Sequence, residues 1–128
     1  MIILDTHAWI WWVTESSNLS KKAARVIHEA DSVGIVGMSC WEVAMLVAKR
    51  RIGLKMDVET WIELALRRPR VRFLSSTPKV MVDAVNLPDR APNDPVDRLI
   101  IAECRHHGVP LVTKDDHIRS SRLVEVIW

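Results

Sequence analysis

The chain has 128 residues and a mass of 14.6 kDa, which is the size of one ordinary domain. Residues 1–128 are therefore treated as a single folding unit. With 48% hydrophobic and 27% charged residues the composition excludes wholesale disorder, and a formal charge of +2 argues against a polybasic protein that holds nucleic acid by bulk charge alone.

Short apolar runs alternate along the chain with longer segments of helical period, which predicts strand–helix units. The predicted strands are residues 2–4, 33–37, 71–74, 110–113 and 124–126. The predicted helices are residues 7–14, 20–31, 39 to about 50, 57 to about 67, 78 to about 87, 96–107 and 115–121. The fold class is therefore α/β, with a central, mainly parallel sheet of four or five strands flanked by helices. Alternation within residues 71–74 indicates an edge strand.

Several predicted helices carry a start signal, and two of these signals involve acidic residues. Ser39 and Glu42 have the spacing of a capping box, which would put Glu42 in the first turn of its helix. Asp94 directly precedes Pro95, as is typical of an N-cap followed by proline at the first helical position. Both signals place carboxylates near helix N-termini.

The two cysteines, Cys40 and Cys104, lie inside apolar stretches and belong to no Cys-x-x-Cys or histidine-rich spacing. Neither a disulfide framework nor a zinc site is predicted, and a reducing cytoplasm is the expected location. No stretch approaches the roughly 18 apolar residues that span a bilayer, so no membrane partner is expected.

Several carboxylates are predicted to meet at one edge of the sheet, because open parallel sheets bind ligands outside the carboxyl ends of their strands. Asp5 follows the first strand directly, and Asp115 comes two residues after Thr113, the end of the fourth. Glu42 and Asp97 lie near the starts of helices that begin at the same edge. At least four carboxylates therefore converge on one rim.

Carboxylates gathered in this way repel one another, by roughly 3 kcal/mol at about 5 Å and an effective dielectric near 20, unless a cation lies between them. Oxygen ligands without a His or Cys partner favour Mg²⁺ or Mn²⁺ over zinc. A cation of this kind lowers the pKa of a bound water. The pattern therefore predicts metal-assisted hydrolysis of phosphodiester bonds.

Each carboxylate also has a purely structural interpretation. Glu42 could serve only the capping box, Asp94 only as an N-cap, and Asp97 only as a first-turn acid favoured by the helix dipole. Asp5 ends an apolar strand and has no such obvious capping duty. Asp116 is interpreted as a solvated turn residue.

Four segments of the chain form an ordered set: Ile3–His7 with a tryptophan after it, Ser39–Val43, Asp94–Ala102 and Leu111–Asp115. Together they resemble the PIN domain, and in particular the VapC-type toxins of bacterial and archaeal toxin–antitoxin pairs. Their order and intervals carry the resemblance, which covers nearly the whole chain. Relatives often have a histidine shortly before the Asp-Pro pair, where this chain has residues 91–93, Ala-Pro-Asn.

The resemblance implies an endoribonuclease that depends on Mg²⁺ or Mn²⁺ and cleaves single-stranded regions of RNA. By position, its catalytic and metal-binding acids are Asp5, Glu42, Asp97 and Asp115, with accessory positions at Asp94, Thr6, Ser39 and Thr113. It further implies a cognate VapB-like antitoxin that covers the acidic groove, and a homodimer of the chain.

Other features admit both functional and structural interpretations. Trp9, Trp12 and Trp41 lie near the predicted rim, where a tryptophan can stack on a base, although packing is the commoner role. His7 lies close to Asp5 and is either a substrate contact or a structural helix-start residue. Basic clusters within residues 49–51 and 67–72 are candidates for phosphate contacts or for a solvated face.

Two alternative functions stay open. A receiver-like signalling domain also has acids at strand ends and a lysine after a late strand, here Lys114, but has no use for Glu42. A catalytically silent PIN-fold binding module would keep the fold without hydrolysis. Setting aside the four predicted ligands leaves 18 basic and 12 acidic residues, a formal +6 that suits phosphate contacts around an acidic cleft.

Overall fold

A five-stranded, wholly parallel sheet forms the centre of the molecule in a computed structural model that describes all 128 residues. The strands are β1 Ile2–Leu4, β2 Val33–Val36, β3 Val71–Leu74, β4 Leu111–Val112 and β5 Val126–Ile127. Their order across the sheet is β3–β2–β1–β4–β5, and every neighbouring pair is parallel. The predicted α/β class is confirmed, and the sheet is parallel throughout rather than mainly so.

Seven helices flank the sheet. They are α1 Thr6–Val13, α2 Lys21–Glu29, α3 Gly37–Ala48, α4 Val58–Leu66, α5 Pro78–Val85, α6 Pro95–His107 and α7 Asp116–Ser121. Every predicted helix is present, with ends that differ by a few residues. No helix combines the length and the hydropathy that a membrane crossing requires.

The core has two layers, one on each face of the sheet, because successive residues of a strand point to opposite faces. Ile2 and Leu4 of β1 belong to the layer formed with α1 to α4, whereas Ile3 between them belongs to the layer formed with α5 to α7. All three side chains are buried. This double coverage explains why β1 and β2 are continuous apolar runs in the sequence.

The outer strands show where the sequence prediction was right and where it was shifted. β3 is an edge strand, as its alternation indicated, and Phe73 is 55% exposed there. β5 begins at Val126, two residues later than predicted, because Leu123 is buried in the core and the preceding Arg122 has a left-handed backbone (φ 56°) that ends α7.

The strand order excludes the receiver-like alternative. Receiver domains have the order 2-1-3-4-5, whereas here β1 lies between β2 and β4. The order reverses between β1 and β4, since the chain proceeds outward in one direction through β2 and β3 and in the other through β4 and β5. Ligands of open α/β sheets bind at this reversal, outside the carboxyl ends of the two strands.

Candidate active site

An acidic cleft of about 550 Å³ opens at the reversal between β1 and β4. All five carboxylates that the sequence pointed to lie on its walls, together with two polar, one cationic and one aromatic side chain. The lining residues are Asp5, Thr6, His7, Trp11, Glu42, Asp94, Asp97, Lys114 and Asp115. The structure therefore brings together residues that are up to 110 positions apart in the chain.

Asp5 links the end of β1 to the start of α1. One carboxylate oxygen accepts a hydrogen bond from the main-chain N–H of Ala8 at 2.8 Å, and the other accepts a hydrogen bond from the hydroxyl of Thr113. Asp5 is thus the N-cap of α1, and the expectation that it had no capping duty is wrong. Burial raises the pKa of Asp5 above its ordinary value, against the lowering effect of these two hydrogen bonds.

Thr113 is the connection between the two strand ends. Its hydroxyl donates to Asp5 and accepts the main-chain N–H of Asp115 at 3.0 Å, and its side chain is fully buried. Asp115 in turn accepts the N–H groups of His117 and Ile118 at 2.8 and 3.1 Å, as the N-cap of α7. A single buried hydroxyl therefore sets the relative position of two of the cleft carboxylates.

The capping box predicted for Ser39 and Glu42 is wrong. α3 begins two residues earlier than expected, at Gly37, and its N-cap Val36 makes no side-chain cap bond. Ser39 is buried inside the first turn and accepts a hydrogen bond from the hydroxyl of Thr6 at 3.1 Å, which ties α3 to α1. Glu42 falls in the second turn, makes no hydrogen bond and faces the cleft, so the capping role proposed for it is excluded.

Asp94 and Asp97 occupy the start of α6. Asp94 is its N-cap and accepts the main-chain N–H of Asp97 at 2.9 Å, so its predicted capping role is present alongside its position in the cleft. Burial, and then repulsion from the carboxylates of Asp94, Asp115, Glu42 and Asp5, raises the pKa of Asp97 from 3.8 to about 7. This is the electrostatic conflict expected where carboxylates converge without a counterion.

Three cleft residues were missed or left undecided by the sequence reasoning. Lys114 stands between Thr113 and Asp115, and its ammonium group pairs with no carboxylate. His7 and Trp11 lie four residues apart on α1, with ring centroids 5.6 Å apart. The i, i+4 spacing was the available signal for this pair.

The tryptophans considered for base stacking do not line the cleft. Trp9 is fully buried and packs on Trp61 with ring centroids 5.2 Å apart. The guanidinium carbon of Arg68 lies 4.8 Å from the ring centroid of Trp12. Trp41 is 56% exposed and lies outside the cleft.

Fold and site together define a class: an α/β protein with an acidic cleft at the topological reversal of a parallel sheet. The family model described as "PIN domain" matches residues 2–122, so the chain belongs to the PIN domain family. The chain is 40% identical over 121 residues to Ribonuclease VapC22 of Mycobacterium tuberculosis (strain ATCC 25618 / H37Rv), a match that covers 94% of this chain and 92% of that protein. Its similarity within the family thus extends to the VapC-type proteins.

Solved structures of the same architecture include Mycobacterium tuberculosis VapC20, described as a toxin that cleaves the sarcin–ricin loop. That match has a TM-score of 0.71 and 21% identity and covers 98% of each chain. VapBC2 of Rickettsia felis, solved with a fragment of its promoter DNA, has a TM-score of 0.71 and 14% identity over 98% of this chain and 97% of that one. At these identities the likeness shows the fold.

Proposed function

We propose that this chain is the ribonuclease toxin of a toxin–antitoxin pair, an endonuclease that hydrolyses RNA phosphodiester bonds with Mg²⁺ or Mn²⁺. One observation carries the proposal: five carboxylates gather in one cleft, in a chain whose 40%-identical relative is named a ribonuclease. Such a concentration of negative charge has no role in folding, since it raises the free energy of the carboxylate form of Asp97.

The donor set of the cleft fits a hard divalent cation. The acids offer only oxygen, and a cation would offset the repulsion that raises the pKa of Asp97 to about 7. No three acidic, histidine or cysteine side chains already stand at the spacing of direct metal ligands. We therefore expect water to complete the coordination, as is usual for Mg²⁺. When bound, the cation would lower the pKa of a water and offset the charge of the phosphate.

The side chains of the cleft differ in how firmly they are held. Asp5 and Asp115 are fixed by main-chain N–H groups and by Thr113, so they form the rigid part of the site. Glu42 has no hydrogen-bond partner and is free to turn toward a ligand. Lys114 supplies a positive charge in the same cleft, and we expect its ammonium group to bind a phosphate oxygen.

We also propose a VapB-like antitoxin as partner, a homodimer of the chain, and a cytoplasmic location. Structures of the same fold include toxin–antitoxin complexes from Klebsiella pneumoniae and Rickettsia felis, which supports the antitoxin. An acidic cleft is complementary to a basic side chain of such a partner. Both cysteines are free thiols, which suits a reducing compartment.

The experiment that tests the function is incubation of the purified protein with a structured RNA that contains single-stranded loops, with Mg²⁺, with Mn²⁺ and with EDTA. We expect internal cleavage with either metal and none with EDTA. Asp97→Asn should lower the cleavage rate at least a hundredfold, whereas Asp89→Asn, an exposed loop carboxylate outside the cleft, should leave it unchanged.

The outcomes separate the alternatives. Cleavage by Asp97→Asn at the wild-type rate would show that the site assignment is wrong. An RNA that is bound by the wild-type protein but cut with neither metal would favour the catalytically silent binding module. A melting temperature that rises with Mg²⁺ or Mn²⁺ for the wild type and not for Asp97→Asn would locate the metal in the cleft independently of activity.

A further inference from the structure

The acidic cleft has one aromatic wall. Of its nine lining residues only Trp11 is hydrophobic, and the imidazole of His7 stands beside it with ring centroids 5.6 Å apart. Both rings project from α1, whose N-cap is the cleft carboxylate Asp5. The aromatic pair and a candidate metal ligand therefore belong to the same short helix and its N-cap, with His7 two and Trp11 six residues after Asp5.

Trp11 is supported from its other side. The ring of Trp128 packs against it with centroids 5.8 Å apart and planes inclined by 58°, and both indoles are half-buried against the layer that contains Trp9. A ring held in this way presents a fixed surface, so it would bind a planar ligand with little further loss of conformational entropy.

Packing explains the positions of Trp9, Trp12 and Trp61 more completely than that of Trp11. Trp9 and Trp61 are buried against each other, and Trp12 lies beneath Arg68. Trp11 instead exposes part of its indole to a space otherwise walled by charged and polar groups. An apolar surface in that position gains nothing from the core and is suited to a ligand that is itself part apolar and part anionic.

A single-stranded nucleotide has that character, with a flat base next to a charged phosphate. Proteins that bind single strands use aromatic side chains as platforms for unstacked bases, because every base has a π face. In a duplex the bases are stacked on one another and are not free to lie on such a ring.

We propose that the His7–Trp11 pair is a nucleobase subsite, on which one unpaired base adjacent to the scissile phosphate stacks while that phosphate lies over the carboxylates. The inference rests on the proposed ribonuclease function and extends it to substrate selection. The cleft then requires single-stranded RNA because only a splayed-out base reaches Trp11.

The test uses short synthetic RNAs that the protein cleaves at one position, each with one base removed to leave an abasic ribose. For the wild-type protein, removal of one base next to the cut should lower kcat/KM roughly 5- to 160-fold, the range that base–aromatic stacking gives. Removal of bases further away should have a smaller effect. In Trp11→Leu the intact RNA should be cut more slowly and the loss at that one position should disappear.

Three variants serve as comparisons. Trp11→Phe keeps a ring and should keep most of the discrimination against the abasic RNA. His7→Ala removes an exposed ring without disturbing the core, and should reduce the discrimination in part. Trp12→Leu, the neighbouring half-buried tryptophan outside the cleft, should discriminate as the wild type does. Equal discrimination by wild type and Trp11→Leu would overturn the subsite.

A binding measurement keeps this test separate from the ribonuclease proposal. In an Asp97→Asn background, the fluorescence anisotropy of a labelled RNA gives affinities for intact and abasic strands without cleavage. Intact RNA should bind several-fold more tightly than abasic RNA, and Trp11→Leu should abolish the difference. If the wild type cuts no RNA but this difference is present, the ribonuclease proposal fails and the subsite stands. If RNA is cut and the difference in affinity is absent, the ribonuclease proposal stands and the subsite fails.

Discussion

Replacement of Asp97 by asparagine should stabilise the metal-free protein at alkaline pH, although we expect it to abolish function. The carboxylate of Asp97 is half-buried among four others, and its pKa is raised to about 7. Because the folded state holds this proton more tightly than the unfolded chain, the free energy of unfolding falls as the pH rises from about 4 to about 7. Asparagine has the same shape and no charge, so the part of the fall that comes from Asp97 should vanish in the variant, whereas the part from Asp5, whose pKa is also raised, should remain.

The size of the effect follows from the pKa. A rise from 3.8 to about 7 corresponds to about 4 kcal/mol against the ionised form above pH 7. Asp97 is partly exposed, so solvent screening reduces this to about 1–2 kcal/mol. Asparagine also loses the favourable interaction of a carboxylate with the N-terminus of α6, about 0.5 kcal/mol. The net gain should be about 1 kcal/mol, or about 4 °C in melting temperature.

The assay is thermal or urea denaturation of both proteins in EDTA at pH 4.5 and pH 8. The variant should be more stable than the wild type at pH 8 and not at pH 4.5, where Asp97 is largely protonated in the folded state. Asp89→Asn, which changes an exposed carboxylate, should show no difference that depends on pH. A stability difference for Asp97→Asn that is the same at both pH values would refute the reasoning, since it would not come from ionisation.

Three further substitutions test the supporting contacts. Thr113→Val removes the hydroxyl that joins Asp5 to the N–H of Asp115; it should lower the free energy of unfolding by about 1–3 kcal/mol in urea denaturation and slow RNA cleavage at least tenfold. Lys114→Gln should weaken RNA binding several-fold and reduce the slope of log affinity against log salt by about 0.7, with unchanged stability, as measured by titration at several salt concentrations. Arg98 donates to the carbonyls of residues 84, 85 and 92, so Arg98→Met should lower the melting temperature by several degrees while the folded fraction keeps its cleavage rate.

The fold was predictable because the inner strands are covered on both faces. Residues 2–4 and 33–36 are buried without exception, so they appear in the sequence as unbroken apolar runs that end in a helix signal. The strand order was not predictable in the same way. It depends on which helices cover which face, and α5 and α6 pack against Ile3 whereas α1 to α4 pack against its neighbours.

The candidate site shows the same division. The positions of Asp5 and Asp115 follow from the ends of their strands, which local sequence defines well. The interpretation of Ser39 as a helix cap failed because its hydroxyl accepts a hydrogen bond from Thr6 of a different helix. No local sequence pattern indicates a contact between two helices. Trp11 was missed since residues 9–13 of α1 are all apolar, which leaves the buried face of the helix undefined in the sequence.

The charge distribution has two consequences that the total of +2 conceals. Arg70 donates to the carbonyls of Ile27 and Ala30, and Arg98 is likewise committed to main-chain carbonyls, so neither guanidinium is available for phosphate contacts. Neither is neutralised by a carboxylate, however, because the carboxylates that contact a basic side chain are Asp83, which pairs with Lys79, and Glu103, which contacts His107.

If the proposed function is right, Arg70 and Arg98 should therefore still add positive charge that attracts RNA, while direct contacts to phosphate should come from free side chains such as Lys114. Attraction at a distance and contact in the cleft thus depend on different residues. Raised salt should screen the attraction at a distance, over a Debye length of about 8–10 Å, and so slow association. The loss of Lys114 should instead weaken the bound complex and speed its dissociation.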